Sequence, residues 1–327
     1  MFRILITERL DEDCYAWLAE RHDVARVAHD DPAPLAEHLP TADALVVRTY
    51  TQVDRGLLSR APRLKVVGRA GVGLDNFDLP ACREAGVSVV YTPDANTQAV
   101  VEYVLGLMLD HVRPRTPLPG GASAERFHEL RKTEVGRQLD EMTLGLLGFG
   151  RIGKCLGKVA HAVGMNVKVY DLLPEVQLRK AVEFPFQYVE PAELYAGCDI
   201  LSVHVDGRPG NRHLLDAAAF AAMPEDLLLI NAARGMLIDH AALQSWLASH
   251  PAARAVLDVH DPEPPPADSP LHDLANCTLL PHLASRTATA LKNMSWVVRD
   301  IDRVLSGQPA EYPAPLVDAD PGDPAAG

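Results

Sequence analysis

Three residues of complementary chemistry each follow an apolar run in the second half of the chain. Arg234 comes after LLLINA, Glu263 after AVLDV and His282 after CTLLP. A guanidinium group binds a carboxylate, a histidine exchanges a proton with a carbonyl oxygen, and a neighbouring carboxylate favours the protonated histidine near neutral pH. We therefore predict that these three are catalytic residues for hydride transfer at the carbon next to a carboxylate.

A glycine-rich loop lies earlier in the chain, between a predicted strand and a predicted helix. Gly148, Gly150 and Gly153 have the spacing G-x-G-x-x-G, directly after TLGLL. Glycines at this spacing allow a tight turn, close approach of the backbone to a pyrophosphate and packing of the helix on the sheet. The N–H groups at the helix N-terminus then bind the pyrophosphate. The loop therefore predicts a dinucleotide site.

Asp171 ends the next predicted strand, 18 residues after Gly153. A carboxylate at this position accepts hydrogen bonds from the adenine ribose and repels a 2′-phosphate, and no arginine follows it, since the next residues are Leu172 and Leu173. We therefore predict NAD as the cofactor rather than NADP. The alternative is that Asp171 only caps a helix.

The elements that must position these residues form two series of short apolar runs separated by helical patterns. Together with the length of 327 residues, this rhythm predicts two doubly wound, parallel α/β domains with a cleft between them. The predicted strands are FRILIT (2–7), ALVV (44–47), KVVG (65–68) and VSVVY (87–91), then TLGLLG (143–148), NVKVYD (166–171), ILSVHV (200–205), LLLINA (227–232), AVLDV (255–259) and CTLLPH (277–282).

Three further segments complete the pattern. A largely apolar helix is predicted from near Asn96, and the prolines of 114–123 must interrupt helix. A last helix is predicted from about Thr287 to Leu305, with Gly307 at its C-terminal end. The remaining residues, 308–327, are rich in Pro, Ala and Asp and predict a flexible tail.

Composition excludes several classes of function. The net charge is −13, from 44 acidic and 31 basic residues, and no basic run suggests nucleic acid as a partner. The five cysteines contain no C-x-x-C pair, so we expect neither a disulfide framework nor a metal site, and a reducing, cytoplasmic location. No apolar stretch is long enough to predict a membrane span.

Several longer stretches of the chain match the pattern of one known family. They are VVRTYTQV (46–53), VVGRAGVGLDNFDL (66–79), GVSVVYTPDANTQAVVEY (86–103), LGLLGFGRIGK (144–154), INAARGMLIDHAAL (230–243), LDVHDPEP (257–264) and PHLASRT (281–287). On these stretches the chain resembles the D-isomer-specific 2-hydroxyacid dehydrogenase family over about residues 3–307, and phosphoglycerate dehydrogenase is the member type that it resembles most. Formate-oxidising relatives in this family carry glutamine in place of the glutamate, so Glu263 argues against that chemistry.

The resemblance implies interconversion of a small anionic D-2-hydroxy acid and its 2-oxo acid with NAD. In that scheme Arg234 orients the substrate, His282 is the acid or base, and Glu263 is the partner of His282. The resemblance also implies a homodimer. Further residues near the cofactor would be Arg151 and Ile152 along the pyrophosphate, His204 and Val205 in a strand-end loop, Ala232, and Asp258 near the nicotinamide carboxamide.

Substrate-binding residues are expected in the first domain. The N–H groups of the loop Ala70–Gly73, which contains Gly71, Val72 and Gly73, could form an anion nest, although a purely structural turn is the alternative.

Arg48 and Arg69 match family positions where phosphate-handling members carry arginine, which would suit a second anionic group such as phosphate, phosphonate or carboxylate. Alternatively, Arg48 is a surface charge, and Arg69 is an ion-pair partner of Asp75 or Asp78.

The family architecture also changes the expected domain boundaries. A flavodoxin-like substrate-binding domain would comprise residues 1–93 and 287–307, and a Rossmann NAD-binding domain would comprise 94–286. His260 and Ala284 depart from the usual aromatic residue and glycine beside the triad, so the shape of the substrate stays open. Two other functions also stay open, an NAD-sensing regulatory protein and oxidation of a hydrated aldehyde.

Overall fold

The computed structural model describes residues 1–315 and divides into two compact units. Among the described residues, unit 1 contains Met1–Asn96 and residues 285–315, and unit 2 contains Thr97–Ala284. Each unit has its own parallel sheet. Within residues 1–315, no helix is long and apolar enough to cross a membrane.

Unit 1 is built on a five-stranded sheet of order β2-β1-β3-β4-β5, in which every pairing is parallel. The strand order reverses between β1 and β3, which is the arrangement of flavodoxin-like sheets. The strands are β1 (Arg3–Ile6), β2 (Asp23–Arg26), β3 (Ala44–Val47), β4 (Val66–Arg69) and β5 (Ser88–Tyr91), and the first helices are α1 (Glu12–Ala19), α2 (Pro32–His38), α3 (Arg55–Ser59) and α4 (Leu79–Glu84).

Unit 2 is built on a seven-stranded parallel sheet of order β12-β11-β10-β9-β6-β7-β8. The first six strands along the chain, β6 to β11, have the Rossmann order, and the strand order reverses between β6 and β9. The strands are β6 (Thr143–Leu147), β7 (Asn166–Tyr170), β8 (Gln187–Tyr188), β9 (Ile200–Val203), β10 (Leu228–Asn231), β11 (Arg254–Leu257) and β12 (Cys277–Leu279), and the helices are α5 (Thr97–Val112), α6 (Ala124–Thr133), α7 (Arg151–Ala162), α8 (Glu175–Lys180), α9 (Pro191–Ala196), α10 (Ala217–Ala221) and α11 (His240–Ser249).

The predicted fold class of two doubly wound parallel sheets is confirmed, but the sequence missed one strand in each sheet. Both missed strands, β2 and β8, lie at a sheet edge. Neither contains a fully buried residue, whereas all four residues of β3 and of β9 are buried. An edge strand pairs on one side only and needs no continuous apolar run, so its sequence signal is weak.

The final helix predicted by the sequence is two helices in the structure, α12 (Ala288–Ser295) and α13 (Val297–Leu305). Thr287 caps α12 by accepting a hydrogen bond from an N–H of its first turn. Gly307 has a φ of +77°, and its N–H and that of Gln308 donate to carbonyl groups of the last turn of α13. This pattern is a Schellman cap, so Gly307 ends the helix as its sequence position suggested.

The first residues of the predicted flexible tail are hydrogen-bonded to unit 1. The N–H groups of Glu311 and Tyr312 donate to the Asp300 carboxylate, and Ala314 donates to the Val89 carbonyl in β5. A flexible tail starting at residue 308 is therefore wrong for this segment, because the buried Asp300 needs these donors. The rest of that predicted tail, 316–327, lies outside the described residues.

Helix α13 is part of the core of unit 1. Ile301 and Val298 are fully buried. A Cβ added to Gly68 in β4 would lie 2.5 Å from Cδ1 of Ile301, so the helix packs directly on the strand backbone. The far end of the chain therefore completes the sheet that its beginning forms.

Replacing Ile301 with alanine should destabilise unit 1 by about 2–5 kcal/mol, because it leaves a cavity between α13 and the sheet. Urea unfolding followed by tryptophan fluorescence measures this, since the rings of Trp17 and Trp296 lie 6.1 Å apart in the same unit. Asn293→Ala on the exposed face of α12 is the control and should change stability by less than about 0.5 kcal/mol. An Ile301→Ala protein with the wild-type urea midpoint would contradict this packing.

Candidate active site

The glycine-rich loop joins β6 to α7 with close backbone packing. Gly148 has a φ of +95°, and a Cβ added there would lie 2.8 Å from the carbonyl carbon of His204. A Cβ on Gly153 would lie 2.4 Å from the Gly148 oxygen. Gly150 differs, because among residues 1–315 no atom outside its chain neighbours and the backbone of its own helix lies within 4 Å of its Cβ position, and no side chain caps α7 there. The open space and the uncapped N–H groups fit a pyrophosphate.

Asp171 lies just beyond β7 and is tied to the glycine-rich loop. Its carboxylate accepts a hydrogen bond from the Phe149 N–H at 2.6 Å and another from the Leu173 N–H at 2.9 Å. The helix that follows, α8, has Pro174 as its N-cap, so the interpretation of Asp171 as a helix cap is wrong. The carboxylate keeps lone pairs for ribose hydroxyl groups.

An arginine that the sequence analysis missed lies within electrostatic range of Asp171. The Asp206 carboxylate, and to a smaller extent that of Asp171, raise the pKa of Arg208. Arg208 Nε donates to Asp206 Oδ1 at 2.7 Å. Because Arg208 lies in the loop after β9 and not after β7, no local sequence pattern connects it with Asp171.

His204 follows β9 and contacts the glycine-rich loop. Its N–H donates to the Leu147 carbonyl at 2.7 Å, and its Nε2 lies 2.9 Å from the Ser202 hydroxyl. Burial lowers the pKa of His204 to about 4, so its imidazole is neutral at physiological pH.

The remaining cofactor candidates of unit 2 are partly buried at strand and helix ends. Ile152, Val205 and Ala232 pack against its hydrophobic core. Arg151 is half-buried at the first position of α7.

Glu263 and His282 form a direct pair. His282 Nδ1 lies 2.6 Å from Glu263 Oε1, and both side chains are 40% exposed. Within residues 1–315, His282 Nε2 has no hydrogen-bond partner, which leaves this nitrogen for a ligand. His282 has a φ of +56°, an unfavourable conformation for a residue with a Cβ, so surrounding contacts must hold it.

Asp258 supplies those contacts. This carboxylate is only 1% exposed and accepts hydrogen bonds from the N–H groups of Leu283 and Ala284, both at 2.8 Å. The hydroxyl of Tyr103 in α5 donates to the same carboxylate at 3.1 Å. Burial, and then the charge of Asp258, raise the pKa of that tyrosine. Asp258 therefore fixes the backbone directly after His282.

Arg234 is held by its own loop. Asn231, fully buried at the end of β10, donates from Nδ2 to the Arg234 carbonyl at 2.8 Å and accepts from the Ala233 N–H at 3.0 Å. Arg234 Nη1 donates to the Ala233 carbonyl at 2.7 Å. Asn231 was missed in the sequence analysis, although a polar residue at the end of the apolar run LLLIN is a usable signal.

The loops that carry Arg234 and Glu263 meet at Gly235. A Cβ added to Gly235 would lie 2.0 Å from the carbonyl carbon of His260, so only glycine allows this approach. The ring of His260 donates from Nε2 to the Leu280 carbonyl at 2.8 Å, two residues before His282. His260, a departure from the family pattern, therefore links the ends of β11 and β12.

In unit 1, Glu8 organises the loop that begins at Arg48. Its carboxylate accepts hydrogen bonds from the N–H groups of Arg48, Thr49, Tyr50 and Thr51 at 2.9, 2.8, 3.1 and 3.2 Å. Burial raises the pKa of Glu8, but these hydrogen bonds outweigh it, and the net pKa is lowered. Sequence analysis missed Glu8, because its partners lie about 40 residues away in the chain.

The loop after β4 differs from the predicted anion nest. The Ala70 N–H donates to the end of β3 and the Gly71 N–H donates to the Arg69 carbonyl, both at 2.8 Å. The guanidinium of Arg69 donates to the carbonyls of Gly73 and Ala70. The nest is therefore corrected to the N–H groups of Val72 and Gly73, the two in this loop without a hydrogen-bond partner among residues 1–315.

Comparison with known proteins matches most of unit 2 to the NAD-binding domain of a known family. The sequence model described as D-isomer specific 2-hydroxyacid dehydrogenase, NAD binding domain, matches residues 105–284. A solved D-lactate dehydrogenase from Aquifex aeolicus, complexed with NAD and lactic acid, is 25% identical with a TM-score of 0.77 and covers 93% of this chain and 96% of its own.

Two curated relatives extend the similarity to nearly the whole chain. The D-3-phosphoglycerate dehydrogenase of Methanocaldococcus jannaschii is 38% identical over 95% of this chain, which spans only 59% of that relative. The (S)-sulfolactate dehydrogenase of Chromohalobacter salexigens is 38% identical over 92% of this chain and 97% of the relative. The chain belongs to the D-isomer-specific 2-hydroxyacid dehydrogenase family.

Proposed function

We propose that this chain catalyses reversible, NAD-dependent hydride transfer between a small anionic D-2-hydroxy acid and its 2-oxo acid. The observation that carries this proposal is the 2.6 Å contact of His282 Nδ1 with Glu263, which leaves Nε2 free on the NAD-binding unit. A histidine held in this way is suited to exchange a proton with a substrate oxygen.

The proposed reaction divides the chemistry among three side chains. The nicotinamide, when bound, supplies the hydride to C2 of the oxo acid or accepts it from the hydroxy acid. Arg234 binds the substrate carboxylate as a planar cation. In reduction, His282 Nε2 gives its proton to the carbonyl oxygen, and in oxidation it takes the hydroxyl proton. Glu263 bonds Nδ1 of His282, which fixes the orientation of the ring and leaves Nε2 for this proton exchange.

NAD is the proposed cofactor rather than NADP. The Asp171 carboxylate is fixed by two backbone N–H groups, so it would remain where a 2′-phosphate would have to lie. Arg208 does not cancel this effect, because Asp206 already holds its guanidinium.

Binding of the substrate by unit 1 is also proposed, through Arg48, Arg69 and the loop Gly71–Gly73. Among residues 1–315, the Arg48 side chain donates one hydrogen bond, to the Arg9 carbonyl, whereas the Arg69 side chain bonds two carbonyls of its own loop. Arg48 is therefore the better candidate for direct contact, and Arg69 for holding the loop. A homodimer and a cytoplasmic location stay predictions.

Replacing His282 with alanine should reduce kcat with NADH and a panel of 2-oxo acids by about 10²–10⁴-fold, because no group remains to protonate the carbonyl oxygen. Binding of NADH, measured by fluorescence titration, should stay near the wild-type value. His272→Ala, on an exposed histidine, is the matched control and should keep wild-type turnover. Undiminished turnover in His282→Ala would contradict the mechanism. Wild-type protein that binds NADH but turns over no acid would favour the NAD-sensing alternative.

Replacing Asp258 with asparagine should lower kcat by about tenfold or more. Both carboxylate oxygens accept hydrogen bonds from Leu283, Ala284 and Tyr103, but the NH2 group of an amide cannot accept one, so at least one of these donors would lose its acceptor. As a positioning effect, the loss should appear in kcat with a smaller change in KM for NADH. Asp268→Asn, in an exposed loop, provides the control. If kcat is unaffected in the folded Asp258 variant, the loop after His282 does not depend on this carboxylate.

Replacing Asp171 with serine should raise the ratio of kcat/KM for NADPH to that for NADH by about tenfold or more, corresponding to about 1.4 kcal/mol, because the charge that repels the 2′-phosphate is removed. Steady-state kinetics with both cofactors measure the ratio. Glu225→Gln removes an exposed charge of the same sign and should leave it unchanged. A ratio that stays at the wild-type value would exclude Asp171 as the source of cofactor preference.

A further inference from the structure

His260 lies in the loop after β11, between two carboxylates of the proposed catalytic site. It follows Asp258 by two residues and precedes Glu263 by three. The residue is only 7% exposed, although a histidine ring carries two nitrogens that hydrogen-bond to water when they are free. Burial of a polar ring is tolerated when it has hydrogen-bond partners, so the contacts of His260 indicate which part of the site it supports.

The ring of His260 bonds to the chain segment that leads to His282. Its Nε2 lies 2.8 Å from the carbonyl oxygen of Leu280, two residues before His282. A carbonyl oxygen only accepts hydrogen bonds, so this Nε2 carries a proton and is the donor. The Leu280 N–H donates to the Leu257 carbonyl at the end of β11, also at 2.8 Å. Both backbone polar groups of Leu280 are therefore bound by β11 and the loop that follows it.

The backbone of His282 is thus supported on both sides in the chain. Asp258 accepts the two N–H groups that follow His282, and His260 binds the carbonyl two residues before it. Pro281, directly before His282, has a restricted φ and no N–H group to donate. Because His282 has an unfavourable φ of +56°, it should relax to another conformation when one of these supports is removed.

The backbone of His260 contacts the segments of the other two proposed catalytic residues. Its nitrogen lies 3.5 Å from Glu263 Oε2, and Oε1 of the same carboxylate lies 2.6 Å from His282 Nδ1. The His260 carbonyl carbon would lie 2.0 Å from a Cβ on Gly235, the residue directly after Arg234. One residue therefore contacts the segments that carry Arg234, Glu263 and His282.

We infer that His260 is a positioning residue of the proposed active site, which orients His282 for proton exchange by donating a ring hydrogen bond to the Leu280 carbonyl. This inference rests on the proposed function, because it assigns a role in the geometry of the same acid–base pair. Loss of the donor should slow the reaction, since misplacing a reacting group by about 1 Å can cost as much as about 10²-fold in rate.

The first test compares substitutions of His260 that differ in the donor. Glutamine places an N–H donor as many bonds from Cβ as Nε2 of histidine, whereas methionine has the same length and no donor. His260→Met should lower kcat, with NADH and the 2-oxo acid that the wild type turns over fastest, by about tenfold or more, with a smaller change in KM for NADH. His260→Phe keeps a ring without the donor and should show the same loss. His260→Gln should stay within about threefold of the wild-type kcat.

A histidine at the opposite end of β11 provides the matched control. His250 also bonds a backbone carbonyl, since its Nδ1 lies 2.8 Å from the Trp246 oxygen, but it lies before β11, whereas His260 lies after it. His250→Met should lower the melting temperature and keep the wild-type kcat. A wild-type kcat in a folded donor-free variant of His260, or equal losses with and without the donor, overturns the positioning role.

Nitrogen NMR of isotope-labelled histidine rings separates this inference from the proposed function, because it needs no substrate. The signals of His282, assigned by their absence in His282→Ala, report the bond of Nδ1 to Glu263. They should move in His260→Met and stay near the wild-type positions in His260→Gln and His250→Met.

The outcomes of this measurement differ for the two proposals. Signals of His282 that are equal in His260→Met and His260→Gln overturn the positioning role, and turnover of a 2-oxo acid by the wild type then leaves the proposed function intact. Signals that depend on the donor, in a wild-type protein that turns over no acid, support the positioning role and contradict the proposed function.

Discussion

The buried carboxylate of Asp258 is the interaction on which the proposed catalytic geometry depends. A charge at 1% exposure is tolerated only when its oxygens are hydrogen-bonded, and Asp258 has donors from Leu283, Ala284 and Tyr103. Those donors join the end of β11, the loop after β12 and helix α5. His282 can keep its positive φ because the two residues after it are fixed in this way.

Elsewhere in unit 2, close packing between backbones fixes the positions of the loops. Gly148 brings the pyrophosphate loop against the loop that begins at His204, and Gly235 brings the Arg234 loop against His260. In both places a methyl group would overlap a neighbouring backbone, so the arrangement of the loops depends on the absence of a side chain. Loops at neighbouring strand ends are therefore held against one another. The backbone that carries the functional side chains is supported by these contacts.

Unit 1 uses electrostatics in place of close packing at the corresponding edge of its sheet. The Glu8 carboxylate holds the Arg48 loop through four backbone N–H groups, and the side chain of Arg48 is left without an ionic partner among residues 1–315. A carboxylate with several N–H donors stays ionised, which lets it organise a loop in a cationic region. The result is a rigid backbone that presents positive charge.

The sequence by itself determined the two parallel sheets, their interior strands and the residue types at the strand ends. Continuous apolar runs such as those of β3 and β9 mark buried strands, and the spacing of Gly148, Gly150 and Gly153 marks a backbone conformation that few other residues adopt. These signals are local, since they depend on neighbours within one strand or one turn. The edge strands β2 and β8 lack them, because none of their residues is fully buried.

Only the tertiary structure decided which partner each polar group found. Glu8 with Arg48, Asp258 with Leu283, and Arg208 near Asp171 are pairs separated by 25 to 40 residues in the chain. The carboxyl ends of separate strands bring such residues together, and hydrogen-bond geometry then selects among them. For the same reason the sequence could suggest an anion nest at Ala70–Gly73, while the fold used two of its N–H groups for other carbonyls.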